Sequence, residues 1–277
     1  MFKDILLPLL SGRFSEPALS TACALAKTFR GHVVVLLTSD AAASEASMRT
    51  HSPGGIYALL QEHAGTPTWA HVGALRERLA RAGVAFDIRQ ADGFWLTAEQ
   101  QSVTHARYAD LVVLGIERES MHAESRRFSS VVVEGGRPVL LVPPQAADRD
   151  AWRHVVIAWK STPEAARAVH DALPILRRAD TVDLLMVDNR YESHGIEQTA
   201  DAAIVPCLSR HGLQVNLVRR SAAHSSIGEE VLAYAGECGA DLIVAGAYSR
   251  PRALERLFGG VTRTLLERTG IPVMFSH

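Results

Sequence analysis

The sequence predicts a doubly wound α/β protein, built twice in tandem. Three observations carry this prediction. Short apolar runs alternate with alanine-rich, helix-forming stretches, the pattern of a mostly parallel sheet with helices on both faces. The order of five such runs in the first half returns in the second, so the chain is two copies of one unit rather than one large sheet. A length of 277 residues suits about two domains.

The elements follow in order. Lys3-Asp-Ile-Leu-Leu-Pro-Leu opens the first copy as a strand, and His154-Val-Val-Ile-Ala-Trp159 opens the second. A polar loop and an alanine-rich helix come next in each, over 15–29 and 163–178. Val33 to Leu37 and Val182 to Val187 form the second strands. Gly83-Val-Ala-Phe-Asp-Ile-Arg and Gly212-Leu-Gln-Val-Asn-Leu-Val-Arg lead into the third. Ala109-Asp-Leu-Val-Val-Leu-Gly115 and Ala240-Asp-Leu-Ile-Val-Ala-Gly246 carry the fourth, and Arg137-Pro-Val-Leu-Leu-Val142 and Ile271-Pro-Val-Met-Phe275 the fifth. The expected domains are 1–143 and 152–277, joined by a proline-containing linker from Pro143 to Ala151. An insertion at about 41–66 separates the second and third strands of the first copy and reads as a tolerated surface segment, with a lid or partner surface as the alternative.

Composition bounds the function. Hydrophobic residues make up 47% and charged residues 21%, which is ordinary for a globular chain. A net charge of −1 argues against bulk attraction to nucleic acid or anionic membrane. Charge and proline interrupt the first eight residues, so they do not read as a signal peptide, and no apolar run reaches the ~18 residues of a membrane span. Cys23, Cys207 and Cys238 are scattered and odd in number, which fits a reduced, cytoplasmic protein.

The stretch with the most chemistry runs from Asp241 to Thr262. A buried strand ends at Gly246, and Gly259 and Gly260 then open a helix. Backbone N–H groups at such a helix start, unshielded by side chains, suit a phosphate, and in doubly wound sheets ligands bind beyond the carboxyl ends of the strands. The same glycines also fit a tight strand-to-helix turn with no ligand.

At these residues the chain resembles the universal stress protein family in its tandem form. The resemblance covers essentially the whole chain and is strongest over 240–277 and 155–176. It implies a fold like that of the adenine-nucleotide alpha hydrolases, two Rossmann-like five-stranded sheets, and an internal pseudo-dimer paired through the last strands, Val139 to Val142 and Val273 to Phe275. Nucleotide-binding members carry Gly, two residues, Gly, nine residues, Gly, then Ser or Thr. The second copy has Gly246, Ser249, Gly259 and Gly260 in that frame, with Thr262 two residues on. The family's aspartate at the end of the first strand is absent: the second copy has Lys160 and the first Leu9-Leu10. The resemblance implies ATP with Mg²⁺ in the second half, held by Trp159, Lys160, Val187, Gly246, Ser249, Arg250, Gly259, Gly260, Val261 and Thr262. In the first half the frame runs Gly115, Arg118, Phe128, Ser129, with Glu117, Glu119 and Glu124 bringing negative charge and Arg126 and Arg127 opposing it. That site reads as degenerate.

Other chemistry finds no pattern. Twelve histidines show no metal-ligand spacing, and neither a P-loop nor a Gly-x-Ser-x-Gly elbow is present. No acid, base and nucleophile assemble, so neither catalytic residues nor a metal site is expected. The expected function is a non-enzymatic regulatory module that binds adenine nucleotide through its second half. A nucleotide-independent stress or scaffold protein acting through protein partners is the alternative, and a slow ATPase ranks last. Whether two such chains form a homodimer stays open.

Overall fold

In a computed structural model of the chain, residues 1–10, 14–38, 68–91, 96–116, 121–147, 149, 151–188, 203–222, 225–248 and 260–277 are described. The insertion at 41–66 lies outside them. In the first half the strands are β1 (Asp4–Leu10), β2 (His32–Thr38), β3 (Ala85–Gln90), β4 (Leu111–Gly115) and β5 (Val139–Val142). Their helices are α1 (Glu16–Phe29), α2 (Thr68–Ala82), α3 (Ala98–Ala106) and α4 (Met121–Glu134). The second half has β6 (His154–Ala158), β7 (Thr181–Asp188), β8 (Asn216–Ser221), β9 (Leu242–Gly246) and β10 (Val273–Ser276). Its described helices are α5 (Pro163–Leu176), α6 (Ile204–Arg210), α7 (Ile227–Glu237) and α8 (Gly260–Arg268).

Each set of five strands is parallel and has the order 3-2-1-4-5, repeated as 8-7-6-9-10. The two sets meet edge to edge. Val273, Met274 and Phe275 of β10 pair antiparallel with Leu141, Leu140 and Val139 of β5. These are the strands expected to join the copies. One expectation is corrected in consequence: hydrogen bonding runs through a single ten-stranded sheet, because each last strand presents to the other an edge of backbone N–H and C=O groups that needs partners, among buried side chains.

Alternation along the strands divides the core. Ile5, Leu7 and Leu9 pack with α1, α2, α5 and α6 on one face; Leu6, Val34 and Leu36 pack with α3, α4, α7 and α8 on the other. Strands buried on both faces read as continuous apolar runs, and β1, β2, β4, β6 and β9 do. The outer strands β3 and β8 are mostly exposed and carry charge, Asp87 and Arg89 on one and Arg219 and Arg220 on the other. Charged edges discourage pairing with another chain.

Local signals set the helix starts. Thr97 with Gln100, and Ser226 with Glu229, form capping boxes for α3 and α7. Thr162 Oγ1 accepts from Ala165 N at 3.3 Å, and Pro163 takes the first position of α5. The stretch from Pro163 to Arg178 ends its helix at Leu176, with Arg177 as the cap.

The repeat is exact in one structural detail. Asp110 Oδ2 accepts the backbone N–H groups of Lys3 and Asp4, at 2.6 and 3.1 Å. Asp241 does the same for Arg153 and His154, at 2.9 and 3.2 Å. Each aspartate ties the start of a fourth strand to the start of the first. Asp241 is buried and Asp110 half-buried, so the second clamp lies farther from solvent than the first. Asp241→Ala is expected to lower the unfolding free energy by about 1–3 kcal/mol, and Asp110→Ala by less, in denaturant titrations.

The two halves also meet through rings. Phe128 of α4 is fully buried and lies 5.1 Å from Phe275 and 6.2 Å from Tyr248, centroid to centroid. Gln145 Nε2, in the expected linker, donates to Thr269 O at 3.1 Å. Phe128→Ala is expected to cost about 3–5 kcal/mol by the same titration, the value of a large ring removed from a core.

Candidate functional site

Parallel strands bring their carboxyl ends to one edge, and the second half gathers the predicted residues there. Ala158 of β6 sits opposite Ala245 of β9 and Leu185 of β7. Trp159 and Lys160 follow β6, Val187 is the penultimate residue of β7, and Gly246 ends β9. The sheet's order reverses between β6 and β9, since β6 leads outward to β7 while β9 leads inward to β10. This is the switch point where such sheets take ligands.

Gly260 is the first residue of α8 and is exposed, and a Cβ placed on it would meet nothing within 4 Å among the described residues. Its carbonyl accepts from Thr264 Oγ1 at 2.8 Å, inside the helix. Val261 is half-buried against the apolar cluster beneath α7 and α8. Ser249, Arg250 and Gly259 lie outside the described residues.

The other predicted residues have work within the fold. A Cβ on Gly246 would stand 2.6 Å from Ala165 N and 2.8 Å from the Glu164 carbonyl carbon. The first turn of α5 therefore fills the space that a glycine leaves. Trp159 is 9% exposed and belongs to the core under α5, and its backbone N–H donates to Leu185 O at 2.8 Å. Lys160 is exposed beside it, and Asp188, which was not singled out in the sequence, ends β7 at the same edge. Thr262 is buried; its Oγ1 accepts from Tyr248 N at 3.4 Å and so ties the end of β9 to α8.

Tyr248 is the residue sequence reasoning missed. It has φ +56, a left-handed conformation rare for a bulky side chain, and it is 7% exposed. Its hydroxyl lies 2.7 Å from Ser129 Oγ in α4 of the other half. Ser129 Oγ itself donates to Ser125 O at 2.7 Å, so Tyr248 is the donor of the pair. Burial pushes the Tyr248 phenol up, which keeps that proton in place. No spacing rule foretells this bond, because its partner lies 119 residues away.

The first half places the residues of its own frame differently. Its fourth helix already begins at Met121, so Phe128 and Ser129 lie well inside α4, where backbone N–H groups bond the preceding turn. The corresponding frame in the second half reaches Gly260 only at the first residue of α8. Arg127 Nη2 is held by Glu124 at 2.5–2.6 Å, and Arg126 lies 3.8 Å from Glu99. Both predicted cations thus have a carboxylate partner. Glu117, Arg118 and Glu119 lie outside the described residues.

A second polar cluster stands at the opposite, amino-terminal edge of the second half. The Asp183 carboxylate in β7 is buried and accepts from His154 Nε2 at 2.6 Å, Tyr234 Oη at 2.9 Å and Asn216 Nδ2 at 2.9 Å. Burial alone would raise this carboxyl, but the bonds from Asn216, His154 and Tyr234 outweigh it and hold Asp183 below the usual carboxylate range. The Tyr234 phenol is pushed up to about 12 by burial and by Asp183.

With this geometry in hand, comparison with known proteins gives the class. Residues 151–277 match the model described as the universal stress protein family. Over its full length the chain has the same fold as a universal stress protein from Archaeoglobus fulgidus DSM 4304, at TM-score 0.71 and 14% identity, covering 99% of this chain and 95% of that one. A candidate universal stress protein from Pseudomonas aeruginosa UCBPP-PA14 aligns at TM-score 0.64 and 14% identity, over 99% and 93%. No curated protein matches the sequence. Among the described residues no helix is long and apolar enough to cross a membrane.

The two glycines of this edge are expected to behave differently. Gly246→Ala forces backbone apart and should lower stability by about 1–3 kcal/mol, as overpacking does. Gly260→Ala meets open space and should leave the melting temperature within a degree or two, since helix starts tolerate alanine. Thermal unfolding of both variants checks the contrast.

Proposed function

We propose that this protein is a non-enzymatic, cytoplasmic regulatory module of the stress-protein type, which binds adenine nucleotide, as ATP with Mg²⁺, through residues 152–277. The observation that carries the reading is the start of α8: Gly260 is exposed, a Cβ placed on it would meet nothing within 4 Å among the described residues, and the bond from Tyr248 N to Thr262 Oγ1 holds this helix at the carboxyl end of β9. A helix start with bare backbone N–H groups and positive dipole favours a phosphate. The match of this half to the family model supports the same assignment. Val261 and Thr262 would follow Gly260 in the cradle, with Ser249, Arg250 and Gly259 supplied by the preceding loop, and Lys160 and Val187 would stand at the strand ends. Tyr248 would connect that loop to the first half through Ser129, so that occupancy is felt at the seam.

A second reading, a scaffold independent of nucleotide, has a specific observation in its favour. The residue after β6 and Trp159 is Lys160, an ammonium with no acceptor for an adenine amino group, and Trp159 is core.

Full-length protein, freshly purified, should release a nucleotide on denaturation, detected by mass spectrometry, or melt several degrees higher with added ATP and Mg²⁺. Gly260→Glu places a carboxylate at the phosphate position, while an acid in the first turn favours the helix. The variant should stay folded and lose both signals. Wild type that carries no nucleotide and shows no thermal shift would leave the scaffold reading standing.

A further inference from the structure

We infer that the amino-terminal edge of the second half is a divalent metal site, with His154, Asp183 and Cys238 as its protein ligands and Zn²⁺ as the ion their chemistry selects. The Nε2 of His154, a carboxylate oxygen of Asp183 and the Sγ of Cys238 all lie within 4.8 Å of one another. Imidazole, carboxylate and thiolate together are a zinc donor set, and three protein ligands with a fourth position left for water are the arrangement of open zinc sites. The fourth position has access to solvent. The His154 side chain is 23% exposed, Cys238 is half-buried, and Asn216 is exposed at the rim.

The supporting contacts are those a metal site needs. Asn216 Nδ2 donates to Asp183 Oδ1 at 2.9 Å and leaves Oδ2 directed at His154. Tyr234 Oη donates to Oδ2 from α7 and fixes the carboxylate further. Hydrogen bonds of this kind orient ligating carboxylates. The metal takes the place of the proton that His154 Nε2 gives to Asp183. The nearby cation Arg220 is paired with Glu237 at 2.5 Å.

The internal repeat shows that the fold does not require this cluster. Val155 pairs with Val182 as Ile5 pairs with Val33, which sets Asp183 in register with Val34 and His154 with Asp4. The same position on the same face of the sheet is closed in the first half by a buried valine. A buried carboxylate is costly to hold where an apolar side chain suffices, which favours a use for it beyond packing. The three ligands come from β6, β7 and the end of α7, so no sequence spacing announces them.

The test uses full-length protein stripped with chelator and titrated with Co²⁺, then with Zn²⁺ in competition. Wild type should take up one Co²⁺ per chain with a tetrahedral d–d spectrum and a thiolate-to-cobalt charge-transfer band, both erased by Zn²⁺. Cys238→Ser should remove the charge-transfer band with Cys23 and Cys207 still present. His154→Ala should remove the tetrahedral spectrum, and Asn216→Ala should keep the band but weaken binding about tenfold or more. Circular dichroism verifies that each variant is folded, and either ligand variant suffices. A wild-type protein without the band, or a band that survives in both Cys238→Ser and His154→Ala, would overturn the assignment.

Discussion

The structure depends on the antiparallel seam between β5 and β10. Everything else in each half is a parallel sheet that could end there, with a bare edge of four buried residues, all apolar but Ser276. Val139, Leu141, Val273 and Phe275 face one side of the sheet, and Leu140, Val142 and Met274 the other, all buried. Pairing satisfies the backbone of both edges at once and removes two exposed templates for aggregation. It also decides which surfaces become interior. Phe128, in the middle of α4, acquires Phe275 and Tyr248 as neighbours only because the seam brings the second half alongside.

That arrangement gives the two copies of the nucleotide frame different fates. In the second, α8 starts at Gly260, an exposed residue. In the first, α4 starts at Met121, and the equivalent residues serve the contact between halves. Tyr248 stands where the two roles meet. A left-handed non-glycine residue costs on the order of 1–3 kcal/mol, and here the buried ring, the bond to Thr262 and the bond to Ser129 offset it. Such a residue at the start of the proposed ligand loop has two structural neighbours, the helix below and the other half beside it.

The second half also carries different chemistry at its two edges. Strand carboxyl ends lead toward the helix start at Gly260, the proposed place for an anion. Strand amino ends gather His154, Asp183 and Cys238, a place for cations. The sheet separates them by the length of β6 and β7, so each edge keeps its own electrostatics, and a ligand at one acts on the other only through the strands.

How much of this was written in the sequence follows from range. Apolar runs and caps act locally, so Thr97, Thr162 and Ser226 mark their helices without help from the fold. Repetition of those local signals was enough to determine ten strands and two copies, while the use of 139–142 and 273–275 as joining edges came from the family resemblance. The frame around Gly246 and Gly260 was visible for the same reason, as a pattern within one stretch of chain. What the tertiary structure alone decided is where space is left. Gly246 looks like a ligand contact in sequence, yet the first turn of α5 occupies its open side. Trp159, which the resemblance implies as a ligand contact, is part of the core. Thr262 is a buried tie, Tyr248 reaches across 119 residues, and Asp183 meets histidine and cysteine from two other elements. Each of these depends on distances between segments far apart in the chain. Local periodicity fixes which face a residue takes, whereas only packing fixes what stands opposite it.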